Sequence, residues 1–232
     1  MRVLGLIPVR GGSKGIPHKN KKLLNGKPLM EYTIAAALEA TQLDAVVCSS
    51  EDAELRAIAS KLGVEVPFTR PESLAQDTSG SLGVVHHALQ ELEKAGRQYD
   101  AVCLLQVTNP FRSAAFIDQA ITKFKKETPD ALVSVLKVPH EYNPHWVFEQ
   151  NAKGFLDIAT GEQEIIKRRQ ELPEAFIRDG AIYITKTEVI REKKSLYGNT
   201  LSYIISDPEH HVNIDTMNDW VKAEAIAKKL RA

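Results

Sequence analysis

The sequence predicts an α/β fold: a mostly parallel sheet with helices on both faces. Two observations carry that expectation. Short apolar runs of strand length alternate with segments whose apolar residues recur at helical spacing, the pattern of strands joined by crossover helices. The run Ala101–Val107 is almost wholly apolar, as a strand buried on both faces requires. At 232 residues the chain is long enough to bury one full core, and the whole of 1–232 is expected to be a single domain.

The first strand, Val3–Val9, breaks into Arg10-Gly11-Gly12-Ser13-Lys14-Gly15 and then Ile16-Pro17-His18-Lys19-Asn20. Glycine lets the backbone N–H groups approach a ligand closely. Successive N–H groups in such a turn make a concave anion site, and basic side chains add charge to it. Arg10, Lys14 and Lys19 stand in this stretch with no acidic residue among them. A polyphosphate cradle fits that pattern better than an ordinary strand-to-helix connection that happens to be basic. Two common phosphate motifs are excluded. Gly11, Gly12 and Gly15 lack the G-x-G-x-x-G spacing of a dinucleotide site, and Gly26-Lys27 is followed by Pro28 rather than by the Ser or Thr of a P-loop.

The spacing then predicts a helix over 28–38, opened by Pro28, and a strand Ala45–Ser50. A helix Ala53–Leu62 follows, with Leu55, Ile58, Ala59 and Leu62 on one face and Gly63 as its stop, then a short strand Val64–Val66. The polar stretch Arg70–Ser81 is too long for a simple connection and is expected to be functional. Ser79 or Ser81 would cap the helix Leu82–Lys94, contact a ligand, or both. After Ala101–Val107 come a helix Ala114–Lys126 capped by Ser113 and a strand Ala131–Val138, which completes the legible part of the main sheet. From 139 to 176 the pattern dissolves into what is expected to be an arm inserted in the domain. His140 and His145 lack a third ligand at metal spacing and are expected at a surface or interface. Strands over 178–184 and 201–205 and a helix over 217–230 close the chain, with Asp215 or Thr216 placed to cap that helix.

Thirty basic and thirty acidic residues balance, which argues against a nucleic-acid binder; the cations of the first loop are a local concentration. Cys48 and Cys103 sit singly in apolar runs and read as small buried thiols. No stretch approaches membrane-spanning length and no signal segment is recognisable, so a soluble, cytoplasmic protein is the expectation.

Ile7-Pro8-Val9-Arg10-Gly11-Gly12-Ser13-Lys14-Gly15-Ile16-Pro17-His18-Lys19-Asn20, continued by Gly26-Lys27-Pro28-Leu29, resembles the signature of the acylneuraminate cytidylyltransferases, the CMP-sialic acid synthetases and their relatives for other nine-carbon sugar acids. Later segments extend the resemblance over nearly the whole chain. It implies a Rossmann-like sheet of the nucleotide-diphospho-sugar transferase type and a dimerisation arm at 139–176, hence a homodimer. It also implies Mg²⁺-dependent transfer of CMP from CTP to a 2-keto sugar acid, with release of pyrophosphate.

The resemblance assigns residues as well. Arg10, Lys14 and the backbone of Gly11, Gly12 and Ser13 would neutralise the triphosphate, with Lys19 and Asn20 fixing the nucleotide. Arg70, Ser79 and Ser81 would hold cytosine and ribose. Gln106, in a segment similar to the family's L-L-Q-P-T-S-P-L-R, would contact the sugar acid, though a buried strand-end amide could equally satisfy a neighbouring backbone group. Arg169 in Arg168-Arg169-Gln170 would hold the sugar's carboxylate from the other subunit, its planar fork suited to a bidentate pair; a solvated basic turn is the plainer alternative. Tyr183 lies in a stretch resembling N-G-A-I-Y-I, which lines the family's sugar pocket. Where the family reads D-I-D this chain has Asn213-Ile214-Asp215, so Asp215 is the expected Mg²⁺ ligand and Asn213, an uncharged oxygen donor, the second. No general base is legible. A lysine that the family often places near Trp146 is missing, and Leu196 and Tyr197 stand near its aromatic pocket positions, which leaves the particular sugar acid open. The alternatives are transfer to another acceptor, such as a sugar phosphate, and a nucleotide-binding regulator without turnover.

Overall fold

The computed structural model describes residues 1–230. In chain order its elements are strand β1 (Val3–Pro8), the short pair β2 (Leu23–Leu24) and β3 (Lys27–Pro28), helix α1 (Leu29–Glu39) and strand β4 (Ala45–Ser49). Helices α2 (Ala53–Lys61) and α3 (Ser81–Lys94), strand β5 (Ala101–Leu104), helix α4 (Ala114–Glu127) and strand β6 (Ala131–Lys137) follow. The hairpin β7 (Phe148–Gln150) and β8 (Leu156–Ile158) precedes strand β9 (Phe176–Lys186), helix α5 (Thr187–Glu192), strand β10 (Leu201–Ile205) and helix α6 (Met217–Lys229).

Six strands form one sheet in the order β10-β6-β9-β5-β1-β4. β1 pairs in parallel with β4 and β5, and β10 with β6, whereas β9 runs antiparallel to both of its neighbours. The sheet is therefore mostly parallel. Helices α1, α2, α4 and α6 cover one face through Ile34, Leu55, Ile121, Phe124 and Trp220. The other face is covered by α3 and α5 through Val85, Leu89, Leu92 and Ile190. Fully burying a side chain such as Phe124 contributes about 1.5–3 kcal/mol, so both layers hold the sheet firmly.

Local signals account for several boundaries. The Asp52 side chain accepts from Leu55 N–H at 2.9 Å and opens α2; Ser113 accepts from Phe116 N–H at 3.1 Å and opens α4. Thr216 and Asp219 form a reciprocal capping box on α6, which assigns the cap to Thr216 and leaves Asp215 outside it.

Four sequence expectations need correction. Val64–Val66 is not a strand: only Glu65 bridges, in parallel, to Val47. The strand expected over Ala101–Val107 ends at Leu104; Leu105 stays in the core, and Gln106 and Val107 line a cleft. Ser79 and Ser81 do not cap α3, whose N-cap is Gly80 without a side-chain hydrogen bond; the Ser79 hydroxyl donates to Ser73 O at 2.8 Å instead. The sheet is not complete at β6, because β9 inserts between β5 and β6. That pairing joins residues far apart in sequence, which a local pattern cannot reveal.

Residues between β6 and β9 leave the sheet as a projection. Its base is closed by Val138 N–H donating to Ala175 O at 2.9 Å, and β7 and β8 form its hairpin. Tyr142, Phe155 and Leu156 on it are 71%, 70% and 66% exposed. Among the described residues no helix is long and apolar enough to cross a membrane.

Candidate active site

A cleft of about 360 Å³ opens beyond the carboxyl ends of β1 and β5, the usual ligand position in such sheets. The chain brings four distant stretches to it: the basic loop after β1, the loop before α3, the residues after β5, and the segment leading into α6. Among the residues nominated from sequence, Arg10, Gly12, Ser13, Lys19, Asn20, Arg70, Ser79, Ser81, Gln106, Asn213 and Asp215 all line it.

The basic loop is held by a small hydrogen-bond frame. Asn20 Nδ2 donates to Arg10 O at 2.8 Å, fixing the loop's start to its end. Lys19, only 11% exposed, donates through Nζ to Ile214 O at 2.6 Å and pairs with Asp215 Oδ1 at 3.2 Å. Gly15 lies so close to Asp215 that a Cβ there would stand 2.0 Å from the Asp215 carbonyl oxygen. Ile214 N–H donates to Thr108 O at 2.8 Å, which ties the same segment to the loop after β5. The carboxylate of Asp215 thus reaches the cleft from far along the chain and stands against the cationic turn.

Tertiary structure also supplies acids that the local sequence lacks. Asp77 Oδ1 pairs with Arg10 Nη2 at 2.9 Å and its Oδ2 with Lys14 Nζ at 2.8 Å. The hydrogen bond from Lys14 and the two nearby positive charges hold the Asp77 carboxyl below its usual range. Glu51 Oε1 accepts from Gly11 N–H at 2.7 Å, while its Oε2 pairs with Arg70 Nη2 at 2.6 Å. Gly11 therefore faces Glu51 and Asp52 rather than the cleft, which corrects its expected place in the cradle. Lys14 stands at the rim, largely exposed, and reaches inward through Asp77.

Arg70 is almost wholly buried. Its Nη2 donates to Val9 O at 2.6 Å as well as to Glu51, so it braces the end of β1 as part of the cleft wall. Buried Arg112 works similarly at the end of β5, donating from Nη1 to Thr33 Oγ1 at 2.9 Å and from Nη2 to Gln106 O. Burial pulls its guanidinium down to about 10. Sequence reasoning missed Asp77, Glu51 and Arg112 as site residues; the signals were the acidic pair Glu51-Asp52, Asp77 within the long polar loop, and Arg112 at the end of the segment resembling L-L-Q-P-T-S-P-L-R.

Two nominated residues lie elsewhere within the single chain. Arg169 is on a single turn, Arg169–Glu171, and lines a separate hollow on the projection with His140 and Asn143. Tyr183 is buried under the α3 face; its hydroxyl accepts from Arg178 Nη1 at 3.0 Å, and its ring meets Tyr197 edge-on. A second hollow of about 250 Å³ lies behind the Thr108–Ile214 contact. There Asn109 Nδ2 donates to Asp179 O at 3.2 Å and lies 2.9 Å from His211 Nδ1.

Among the described residues no group of three or more His, Cys, Asp or Glu side chains could hold a metal ion. Among the described residues two carboxylates line the cleft: Asp77, taken up by Arg10 and Lys14, and Asp215, whose Oδ2 accepts from Asn213 Nδ2 at 2.7 Å and which has the Asn213 amide oxygen as a neighbouring donor. That sparse set fits a hard cation held mainly by substrate phosphate oxygens and water, as Mg²⁺ commonly is.

Comparison with known proteins gives consistent matches. A family model described as cytidylyltransferase matches residues 4–216. The chain is 34% identical over 227 residues to the CMP-N,N'-diacetyllegionaminic acid synthase of Legionella pneumophila, covering 97% of this chain and 96% of that protein. It is 31% identical over 228 residues to the pseudaminic acid cytidylyltransferase of Campylobacter jejuni, covering 98% and 97%. Among solved structures, a CMP:2-keto-3-deoxy-manno-octonic acid synthetase complexed with CTP superposes with a TM-score of 0.73 over 99% of this chain and 100% of that one. At 13% identity that likeness is one of fold.

Proposed function

The chain belongs to the cytidylyltransferase family, and from that premise we propose that it activates a nine-carbon 2-keto sugar acid with CTP, giving the CMP-sugar and pyrophosphate. One observation carries this reading: Arg10 and Asp215 face one cleft, linked by Lys19 and Asn20, so cations for a polyphosphate and a carboxylate for a metal converge there.

The anomeric hydroxyl of the sugar acid attacks the α-phosphorus of CTP; the P–O bond to the β-phosphate breaks and pyrophosphate leaves with the electron pair. Such chemistry depends on positioning and charge neutralisation. Arg10 and Lys14 receive the negative charge that grows on the β- and γ-phosphates, and Gly12 and Ser13 let those groups approach the backbone. Lys19 holds Asp215 in place. Asp215, with Asn213, would hold Mg²⁺, which when bound would neutralise phosphate charge and make the attacking hydroxyl more acidic. Ser79, Ser81 and the wall braced by Arg70 receive the nucleoside.

A homodimer completes the site in this reading. On β10, Leu201, Tyr203 and Ile205 are 50%, 41% and 53% exposed on one face of an edge strand, and the projection over 139–176 carries further exposed apolar side chains. A second copy seated there would bury them and bring its Arg169 to the sugar acid near Gln106. Free, buried Cys48 and Cys103 suit the reducing cytoplasm.

The test offers CTP with a panel of nonulosonic acids and, separately, sugar phosphates, and reads pyrophosphate release. Release with one or more of the sugar acids is expected. Release only with a sugar phosphate, or nucleotide binding without any release, would overturn the assignment.

A further inference from the structure

Asp77 is placed as an occupant of the anion site rather than as a bystander. Each of its carboxylate oxygens takes a different cation of the basic turn, Arg10 at 2.9 Å and Lys14 at 2.8 Å, much as two oxygens of one phosphate would. The same arginine donates from Nη1 to Ala75 O at 3.4 Å, so the loop before α3 is drawn over the turn. Farther along this loop the Ser79–Ser73 hydrogen bond closes a turn, and Ser79 and Ser81 line the same cleft. These ion pairs are substantially exposed, so each contributes little and can be exchanged readily.

We propose that Asp77 is a built-in competitor for pyrophosphate: it covers Arg10 and Lys14 in the free enzyme, yields them to the triphosphate, and retakes them as pyrophosphate departs. This rests on the assignment of the basic turn to the β- and γ-phosphates. A polyphosphate carries enough charge to displace one carboxylate. Pyrophosphate, once severed from the nucleoside, loses the contacts that kept it bound and faces a competitor tethered beside it at high effective concentration. Asp77 touches neither the reacting phosphorus nor the hydroxyl, so it is a positioning residue. Its removal should alter affinity for phosphates that use Arg10 and Lys14 while sparing ligands that do not.

The experiment titrates pyrophosphate, CTP and CMP calorimetrically into the full chain and into Asp77→Asn, with Asp77→Ala as a second variant and Lys14→Ala as the site control. Steady-state kinetics run alongside. Asp77→Asn is expected to bind pyrophosphate and CTP roughly three- to tenfold more tightly, the scale of two exposed ion pairs. CMP affinity should stay within about twofold, and kcat should not rise although KM for CTP falls. Equal pyrophosphate affinity in both proteins would overturn the proposal, and so would weaker binding by both Asp77 variants, which would make Asp77 a ligand-holding group. Pyrophosphate binding that Lys14→Ala leaves unchanged would remove the turn from the phosphate site, a separate failure that takes the underlying assignment with it.

Discussion

A β-carbon on Gly15 would stand 2.0 Å from the carbonyl oxygen of Asp215, although 200 residues of chain separate the two. Real Cβ atoms do not approach backbone that closely, so the cationic turn and the carboxylate segment are in register only because residue 15 has no side chain. Gly15→Ala must push the two apart. Expected are a stability loss of about 1–3 kcal/mol and a fall in turnover of roughly a hundredfold, since displacements near 1 Å are that costly. Gly12→Ala, whose β-carbon would meet nothing within 4 Å, should leave stability within about 0.5 kcal/mol. Equal stability of the two variants in urea unfolding would contradict this account.

Lys14 and Asp215 divide the electrostatic work between them. Lys14→Ala should lower kcat by roughly a hundredfold or more, the cost of losing a charge-stabilising group, with little change in KM for the sugar acid. Asp215→Asn should raise the Mg²⁺ concentration for half activity roughly tenfold, because the cleft carboxylate beside Asn213 loses its charge. An unaltered metal titration would sink the assignment of Asp215.

Glu51 holds two parts of the site at once, Gly11 N–H and the buried guanidinium of Arg70. Its removal strands a cation that is 3% exposed. Glu51→Ala should therefore cost about 3 kcal/mol in denaturant unfolding, the scale for breaking a buried pair from one side. A loss under about 1 kcal/mol would mean that Arg70 finds water or another partner.

The thiols of Cys48 and Cys103 are pushed up to about 12 by burial, against which Arg70 and Arg112 respectively pull weakly. The thiolate is the nucleophile, so neither should react with a disulfide reagent at pH 8 while the chain is folded. Both should react at once in denaturant. Stoichiometric reaction of the native protein would show that one of these strands opens.

Burial lowers the pKa of His87, with Glu91 opposing, while its ring edge meets Phe68. Above the ordinary histidine value near 6.5 it is neutral folded and unfolded. As the pH falls from there toward the lowered folded value the unfolded chain takes the proton first, so stability declines on acidification. The melting temperature should drop between pH 7.5 and 5.5, and less steeply in His87→Leu. Equal slopes in the two proteins would rule this histidine out as a source of the decline.

Much of the architecture and the basic turn were legible in local pattern, while Arg70, Gln106, Asn213 and Asp215 were legible only through the family resemblance. Apolar runs and caps such as Asp52, Ser113 and Thr216 act within a few residues, and so they marked β1, α2, α4 and α6 closely. The basic turn was legible for the same reason, since Arg10, Lys14 and Lys19 are near neighbours. The failures were nonlocal. Val64–Val66 has strand composition, but pairs at Glu65 alone. Ser79 has a cap's chemistry, but its hydroxyl turns back to Ser73.

The amino-acid order alone determined an α/β chain with a cationic glycine turn after its first strand and a carboxylate before its last helix. These are short-range properties of side-chain type and spacing. Only the folded chain decided which charges meet: Asp77 on Arg10 and Lys14, Glu51 on Arg70, Lys19 on Asp215, with β9 slotted between β5 and β6. Coulomb and hydrogen-bond energies depend on distance in space, and spacing along the sequence does not set that distance once a chain has crossed its own sheet.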